Sequence, residues 1–126
     1  MEKKIINTKN APAPIGPYNQ AVFAGNMLFI SGQIALDPMD GTLYKGDIKT
    51  ETEKVMNNLH AILAEAGMDF SNVVKSSIFL MDMGQFADVN EVYATYFTEN
   101  APARETVQVS GLPKGVNVEI SMIAAL

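Results

Sequence analysis

The spacing of apolar residues in the first half of the chain predicts an amphipathic helix. Thr50-Glu51-Thr52-Glu53 forms a capping box, which is typical of a helix start, and Gly67 suits the left-handed position after a helix. The apolar positions between these ends fall on one face, at i, i+4, i+7, i+8 and i+11. They are Val55, Leu59, Ile62, Leu63 and Ala66. Such a face must be buried, most simply on a sheet.

A strand and a second helix are predicted next. The apolar, β-branched run from Val73 to Met81 indicates a strand in mid-sheet. The following segment, from a cap at Asp82 to Phe97, indicates a helix that ends before the stretch Asn100 to Pro102. Its apolar face carries Phe86, Val89, Tyr93, Tyr96 and Phe97.

The N-terminal part of the pattern predicts a hairpin. Two β-rich segments, Tyr18 to Ala24 and Met27 to Ser31, flank Gly25-Asn26, which suits a two-residue turn. A second turn is predicted at Asp37 to Gly41, joining short strands, because proline fixes one backbone angle and Asp-Gly tolerates the left-handed one.

Two further strands are predicted at the C-terminal end, Arg104 to Val109 and Val116 to Ala124. They flank a loop of Gly and Pro residues, and we expect them to form an antiparallel pair. In the last strand, alternation leaves one face mixed rather than fully polar. Burial of that mixed face against another subunit would explain the pattern, and we therefore predict a homo-oligomer.

Together these elements predict one α+β domain spanning residues 1–126. The chain is 48% hydrophobic and 18% charged, which is enough apolar material for a packed core. Its net charge of −5 and scattered basic residues oppose nucleic-acid binding. The sequence has no cysteine, no membrane span and no signal-peptide core. We therefore expect a soluble, cytoplasmic protein with no membrane partner.

Two charged residues stand out as candidates for chemistry. Arg104 is the only arginine, and its planar fork suits a carboxylate, although a surface salt bridge is the simpler interpretation. Glu119 lies in an apolar strand; facing the core it would have a raised pKa, although such residues more often face water. The predicted strand pair separates them by on the order of 13 Å. A site using both is therefore easier to build between two subunits.

Three smaller features are also candidates for ligand contact. Ser31 and Gly32 end a strand with a hydroxyl and a residue that lets a ligand approach the backbone, although a plain turn explains them equally well. Tyr18 follows a proline and could donate its phenol to an anion, or could simply be a half-buried strand aromatic.

Other common site types are not supported. The single histidine, His60, has no partner in the sequence to orient it, which argues against a Ser-His triad. One histidine and no cysteine argue against a transition-metal site, so we expect no metal. The glycines are isolated and form no phosphate loop, so we expect no nucleotide cofactor.

In combination, five motifs resemble the RidA family, also known as YjgF-type reactive-intermediate deaminases. The resemblance runs from about Ala11 to the C-terminus, and the motifs occur in order. They are Ile15-Gly16-Pro17-Tyr18, Leu28-Phe29-Ile30-Ser31-Gly32-Gln33-Ile34, Pro102-Ala103-Arg104, Leu112-Pro113-Lys114-Gly115 and Val118-Glu119-Ile120.

The resemblance implies a chorismate-mutase-like α+β fold, with two helices on one face of a mixed sheet, and a homotrimer with sites between subunits. It implies hydrolysis, without a cofactor, of 2-aminoacrylate-type enamines or imines to 2-keto acids and ammonia. Arg104 would bind the substrate carboxylate, and Glu119 would orient the attacking water. Tyr18 and Ser31 would complete the polar lining, with close backbone contact from Gly32.

Two residues depart from the family pattern. Glu105 stands where relatives commonly carry a small residue, and Thr106, another candidate for substrate contact, stands where some carry cysteine. Alternation should point Glu105 away from the face that carries Arg104. The family often has asparagine at the position of Asn90, and we expect this residue to serve packing between helix and sheet rather than ligand contact.

Two other functions remain open from the sequence. A non-catalytic, ligand-sensing trimer that binds small 2-keto acids would keep Arg104 but show no turnover. RNA cleavage, attached to some relatives, is opposed by the acidic chain and the lack of a histidine pair.

Overall fold

A mixed six-stranded sheet carries two helices in the described part of the chain, residues 2–126 of a computed structural model. The strands are β1 (Lys3–Ile6), β2 (Ala21–Ala24), β3 (Met27–Gln33), β4 (Val73–Leu80), β5 (Ala103–Gln108) and β6 (Val118–Ala125), and the helices are α1 (Ile48–Glu65) and α2 (Phe86–Ala94). The strand order is β1-β2-β3-β6-β4-β5, and β4 pairs with β5 in parallel. The predicted α+β class is confirmed.

The predicted pairing of the last two strands is wrong. β6 lies between β3 and β4 and is antiparallel to both, whereas β5 pairs with the far side of β4. Burial explains the difference. Val118, Ile120 and Met122 of β6 are almost fully buried, whereas β5 is rich in exposed polar residues. A polar strand is stable at the edge of a sheet, and an apolar one belongs inside it.

The start of α1 also differs from the prediction. Asp47 caps the helix, and its carboxylate accepts from the backbone N–H of Thr50 at 3.0 Å. The capping box predicted at Thr50 does not form, because the helix begins earlier, at Ile48, and Thr50 lies in its first turn, where its backbone N–H and hydroxyl donate to Asp47. The predicted end holds: the helix stops at Glu65, and Gly67 takes a left-handed φ of 74°.

The other predicted elements mostly hold, with shifted ends. The hairpin of β2 and β3 turns at Gly25, whose φ is 62°. The segment after Asp82 begins as a 3-10 turn and becomes α-helical only from Phe86 to Ala94, so the second helix is shorter than predicted. β1 was not predicted. It is a short edge strand with two lysines, and only its last residue is buried.

The sheet has two unlike faces. The face covered by α1 and α2, which we call the helix face, holds the hydrophobic core; its largest buried members include Leu28, Leu59, Ile78, Leu80 and Ile120. The opposite, open face carries large apolar residues that are far more exposed, such as Phe29 at 47% and Val107 at 41%. Within residues 2–126 neither helix has the length and apolar character needed to cross a membrane.

Candidate active site

A cavity of about 440 Å³ gathers four of the residues singled out in the sequence. We call these residues, Tyr18, Ser31, Gly32 and Glu119, the Glu119 pocket. They come from the segment before β2, from the end of β3 and from β6. The remaining lining is mainly apolar and consists of Pro12, Ala13, Ile15, Gln20, Gln33, Ile34, Leu36, Pro113 and Lys114.

A bulge at the end of β3 shapes this pocket. The pairing of β3 with β6 shifts register between Ile30 and Gln33, which takes Ser31 and Gly32 out of the regular ladder. The Ser31 hydroxyl donates to the carbonyl of Asn19 at 2.7 Å, and the Ser31 backbone N–H donates to the carbonyl of Gln20 at 2.9 Å. Bulges often re-aim side chains beside active sites, and this one fixes the wall that faces Glu119.

Glu119 supplies the carboxyl group of the pocket. On β6 it alternates with buried Val118 and Ile120 and therefore lies on the open face. Burial raises the pKa of its carboxyl above the ordinary 4.5, because desolvation disfavours the charged form. No group within residues 2–126 donates a hydrogen bond to it. Such a carboxylate remains available to bind and activate water.

Gly32 is needed where it stands because of Glu119. A Cβ at position 32 would lie 2.7 Å from Cδ of Glu119, far inside normal contact. The backbone at Gly32 has no left-handed φ, so the requirement is for space rather than for conformation. The absence of a side chain lets the carboxylate lie directly over the bulge.

Tyr18 stands at the mouth of the pocket and is 51% exposed. The backbone N–H of Ile15 donates to its hydroxyl oxygen at 3.4 Å, which is a long hydrogen bond. The phenolic proton is not used in that contact. Tyr18 can therefore donate to a ligand that enters the pocket.

The loop between β5 and β6 closes one side of the pocket through Pro113 and Lys114. Lys114 has a left-handed φ of 56°, which is uncommon for a residue other than glycine. Buried Glu51 anchors the end of this loop, since its carboxylate accepts from the backbone and side-chain N–H groups of Asn117, both at 2.9 Å. The roles of Glu51 and Lys114 were not predicted from the sequence. Only the Leu-Pro-Lys-Gly motif drew attention to this loop.

Arg104 lies apart from the Glu119 pocket. In the pairing of β4 and β5 it stands opposite buried Ser76, so it points to the helix face, whereas Glu119 is on the open face. Its Nη1 donates to Oδ1 of Asn90 at 2.6 Å. The guanidinium lies 5.5 Å from the ring centre of Phe86 and 5.1 Å from that of Tyr93. A single chain therefore does not bring Arg104 and Glu119 to one small ligand.

Thr106 accompanies Arg104 on the same side of β5, two residues further on. Its hydroxyl oxygen is buried and has no hydrogen-bond partner within residues 2–126. We call Arg104, Thr106 and Asn90 the Arg104 edge. Asn90 was predicted to serve packing alone, but it also accepts the hydrogen bond from Arg104. This bond joins α2 to β5 and therefore leaves no periodic signal in the sequence.

Glu105 points away from Arg104, which confirms the prediction from alternation. Its carboxylate pairs with Nζ of Lys75 at 3.0 Å and accepts from the hydroxyl of Ser77. These contacts lower the pKa of Glu105, mainly through Ser77 and Lys75. The negative charge at position 105 is therefore engaged on the open face and does not neutralise the guanidinium.

Two other sequence features lie outside both regions. His60 stacks on Phe70 with the ring centres 5.8 Å apart and does not line the Glu119 pocket. Between Glu2 and Leu126, no three histidine or acidic side chains are close enough together to hold a metal ion.

Comparison with known proteins identifies the family. The model described as Endoribonuclease L-PSP matches residues 8–126. A RutC family protein of Pyrococcus horikoshii is 55% identical, with 97% of each chain covered. The 2-iminobutanoate/2-iminopropanoate deaminase of Mus musculus is 49% identical, over 97% of this chain and 90% of the relative. A solved structure of the conserved Rid protein family, from Yersinia pestis, superposes with a TM-score of 0.95 at 44% identity and covers 99% of this chain and 100% of the other. On these matches and the shared fold, the chain belongs to the RidA-type family, whose model is described as Endoribonuclease L-PSP.

Proposed function

We propose that this protein hydrolyses 2-aminoacrylate-type enamines and imines to 2-keto acids and ammonia. The observation that carries the proposal is Glu119, a carboxylate with a raised pKa that lines a cavity beside Tyr18 and Ser31. A base of this kind is suited to activating water. The name of the mouse relative, 2-iminobutanoate/2-iminopropanoate deaminase, supports the same chemistry.

The proposed site lies between subunits of a homotrimer. Arg104 and Glu119 are on opposite faces of one sheet, so a ligand that meets both must sit where two chains adjoin. The exposed apolar residues of the open face, among them Ile5, Phe29 and Val107, support burial against another copy. In this arrangement the Arg104 edge of one subunit faces the Glu119 pocket of its neighbour.

The proposed reaction mainly requires that the substrate be held beside an activated water molecule. An enamine first tautomerises to its imine, whose carbon is electrophilic. Glu119 accepts a proton from water as the oxygen attacks the carbon of the protonated imine, which gives a tetrahedral carbinolamine. Glu119 returns this proton to the nitrogen and accepts the hydroxyl proton as the carbon–nitrogen bond breaks. It then passes that proton to the departing ammonia, which leaves as ammonium, and the 2-keto acid remains. Arg104 and Thr106 hold the substrate carboxylate throughout, and Tyr18 and Ser31 complete the polar lining.

The direct test is release of ammonia and pyruvate from 2-aminoacrylate generated in situ by a dehydratase, measured against spontaneous hydrolysis. We expect Glu119→Gln to lower kcat by about 10²- to 10⁴-fold, the usual contribution of a general base. Arg104→Ala should raise KM by at least about tenfold, because a carboxylate loses its charged partner.

The control is Glu65→Gln, which makes the same chemical change at an exposed position on α1 and should leave both constants unchanged. Acceleration that survives Glu119→Gln would contradict the proposed base. Pyruvate binding without any acceleration by the wild type would instead support a ligand-sensing trimer.

RNA cleavage is the competing activity, because the family description names an endoribonuclease. The net charge of −5 opposes it, since RNA binding depends on neutralised phosphates. Incubating the same preparation with single-stranded RNA separates the two functions. Cleavage that is abolished by Glu119→Gln would favour the nuclease.

A further inference from the structure

The side-chain contacts that hold Arg104 are uncharged. Its contacts are the amide oxygen of Asn90 at 2.6 Å and the ring faces of Phe86 and Tyr93 at 5.5 and 5.1 Å. Across residues 2–126, no carboxylate forms an ion pair with it. The neighbouring acid, Glu105, is on the other face and pairs with Lys75.

One helix supplies all three contacts. Phe86, Asn90 and Tyr93 fall at i, i+4 and i+7 of α2, which places them on the same face of the helix. Tyr93 is itself fixed, because its buried hydroxyl donates to Oγ of Ser76 at 2.9 Å. Ser76 stands directly opposite Arg104 in the strand pairing. The three side chains are therefore held in register with the arginine by the packing of α2 on the sheet.

We infer that Phe86, Asn90 and Tyr93 form a neutral clamp that positions the guanidinium of Arg104 without neutralising it. The inference rests on the proposed function, in which Arg104 binds the substrate carboxylate. The three are positioning residues, since none of them needs to touch the substrate.

The clamp has to be neutral because it must leave most N–H donors of the guanidinium free for the substrate. A guanidinium has five N–H donors, and a single amide oxygen engages one of them. A carboxylate at position 90 could instead form a bidentate pair with Arg104, using both the charge and the fork that the substrate requires. Aromatic faces also attract the cation, and they do so without supplying a competing acceptor. Asparagine and two aromatic rings thus orient the guanidinium and leave its charge free.

The test is Asn90→Asp, which keeps the side-chain shape and adds a charge. We expect the Kd of pyruvate, measured by calorimetry, to rise at least about tenfold, because the new carboxylate competes for Arg104. KM for 2-aminoacrylate should rise by a similar factor, while kcat changes less than about threefold, since the Glu119 pocket is untouched. A purely structural defect would lower kcat together with affinity.

Asn57→Asp is the matched control, because it makes the same change at an exposed position on α1 and should leave the Kd of pyruvate unchanged. The rings are tested by Phe86→Leu and Tyr93→Leu, each expected to weaken pyruvate binding about two- to fivefold. Tyr93→Phe keeps the ring but removes the hydroxyl that holds it at Ser76, so it should weaken pyruvate binding less than Tyr93→Leu does. These variants also keep the inference testable where Asn90→Asp does not assemble.

The possible outcomes separate the clamp from the proposed function. Wild-type affinity for pyruvate in Asn90→Asp, with weakened binding in Arg104→Ala, would overturn the clamp and leave the carboxylate anchor intact. Unchanged affinity in Arg104→Ala itself would overturn the anchor and the clamp with it.

Discussion

The Glu119 pocket and the Arg104 edge differ in how the fold supports them. The pocket is built on the interior strands β3 and β6, at a bulge, where partial burial raises the pKa of a carboxyl group. The edge is built on β5, an exposed polar strand, where a permanent cation is held by neutral neighbours. One region can supply a base, and the other a fixed positive charge. Neither region holds both Glu119 and Arg104, which is why the proposed site needs two subunits.

Gly32→Ala should break the pocket while sparing the edge, and its effect on catalysis should be large. The added Cβ would displace the Glu119 carboxylate, because it would lie 2.7 Å from Cδ. Displacement of a catalytic group by about 1 Å can cost on the order of 10²-fold, so we expect kcat to fall by about ten- to a hundredfold. The Kd of pyruvate should change less, since Arg104 is unaffected.

The stability of this variant distinguishes displacement from unfolding. The clash is with the end of a flexible side chain, so the melting temperature should remain near that of the wild type. Gly111→Ala serves as the control, because a Cβ there meets nothing within 4 Å and the backbone has no left-handed φ. A wild-type kcat in Gly32→Ala would show that the position of Glu119 is not critical.

The pH dependence of kcat/KM should also distinguish the Glu119 pocket from the Arg104 edge, by a smaller effect than that of Gly32→Ala. The proposed base is the ionised form of Glu119, and burial raises its pKa above the ordinary 4.5. The ionised form, and with it kcat/KM, is therefore lost as the pH falls through this raised value. We expect the acid limb of kcat/KM to lie above the range of an exposed glutamate.

Arg104→Lys should lower kcat/KM at every pH and leave the position of the acid limb unchanged, because the limb belongs to the pocket. A limb that moves with this substitution would mean that the edge controls the titrating group. Steady-state kinetics with the same substrate across the pH range distinguishes these results.

What the sequence predicted well was local. The apolar stripe of α1 and the alternation in β6 identify buried faces, and alternation along β5 correctly predicted that Glu105 points away from Arg104. The pairing of β5 and β6 was wrong because strand partners depend on long-range burial, which a hairpin-like loop does not reveal.

In the candidate site, too, single residues could be predicted from the sequence and long-range contacts could not. Glu119 and Arg104 attract attention as single residues, one for its apolar strand and the other for being unique. The contact of Asn90 with Arg104, the contact of Glu51 with Asn117 and the fit of Gly32 under Glu119 join distant parts of the chain. Such contacts follow from tertiary packing and could not be derived from spacing.

Subunit complementation tests the central claim most directly. Arg104→Ala and Glu119→Gln chains, each with its own affinity tag, are co-expressed, and oligomers that carry both tags are purified. If each site takes Arg104 from one subunit and Glu119 from the next, about one third of the sites in every mixed trimer regain both residues. We predict recovery of about that fraction of the wild-type rate of ammonia release. Mixed oligomers that remain as inactive as either parent would contradict a site shared between subunits.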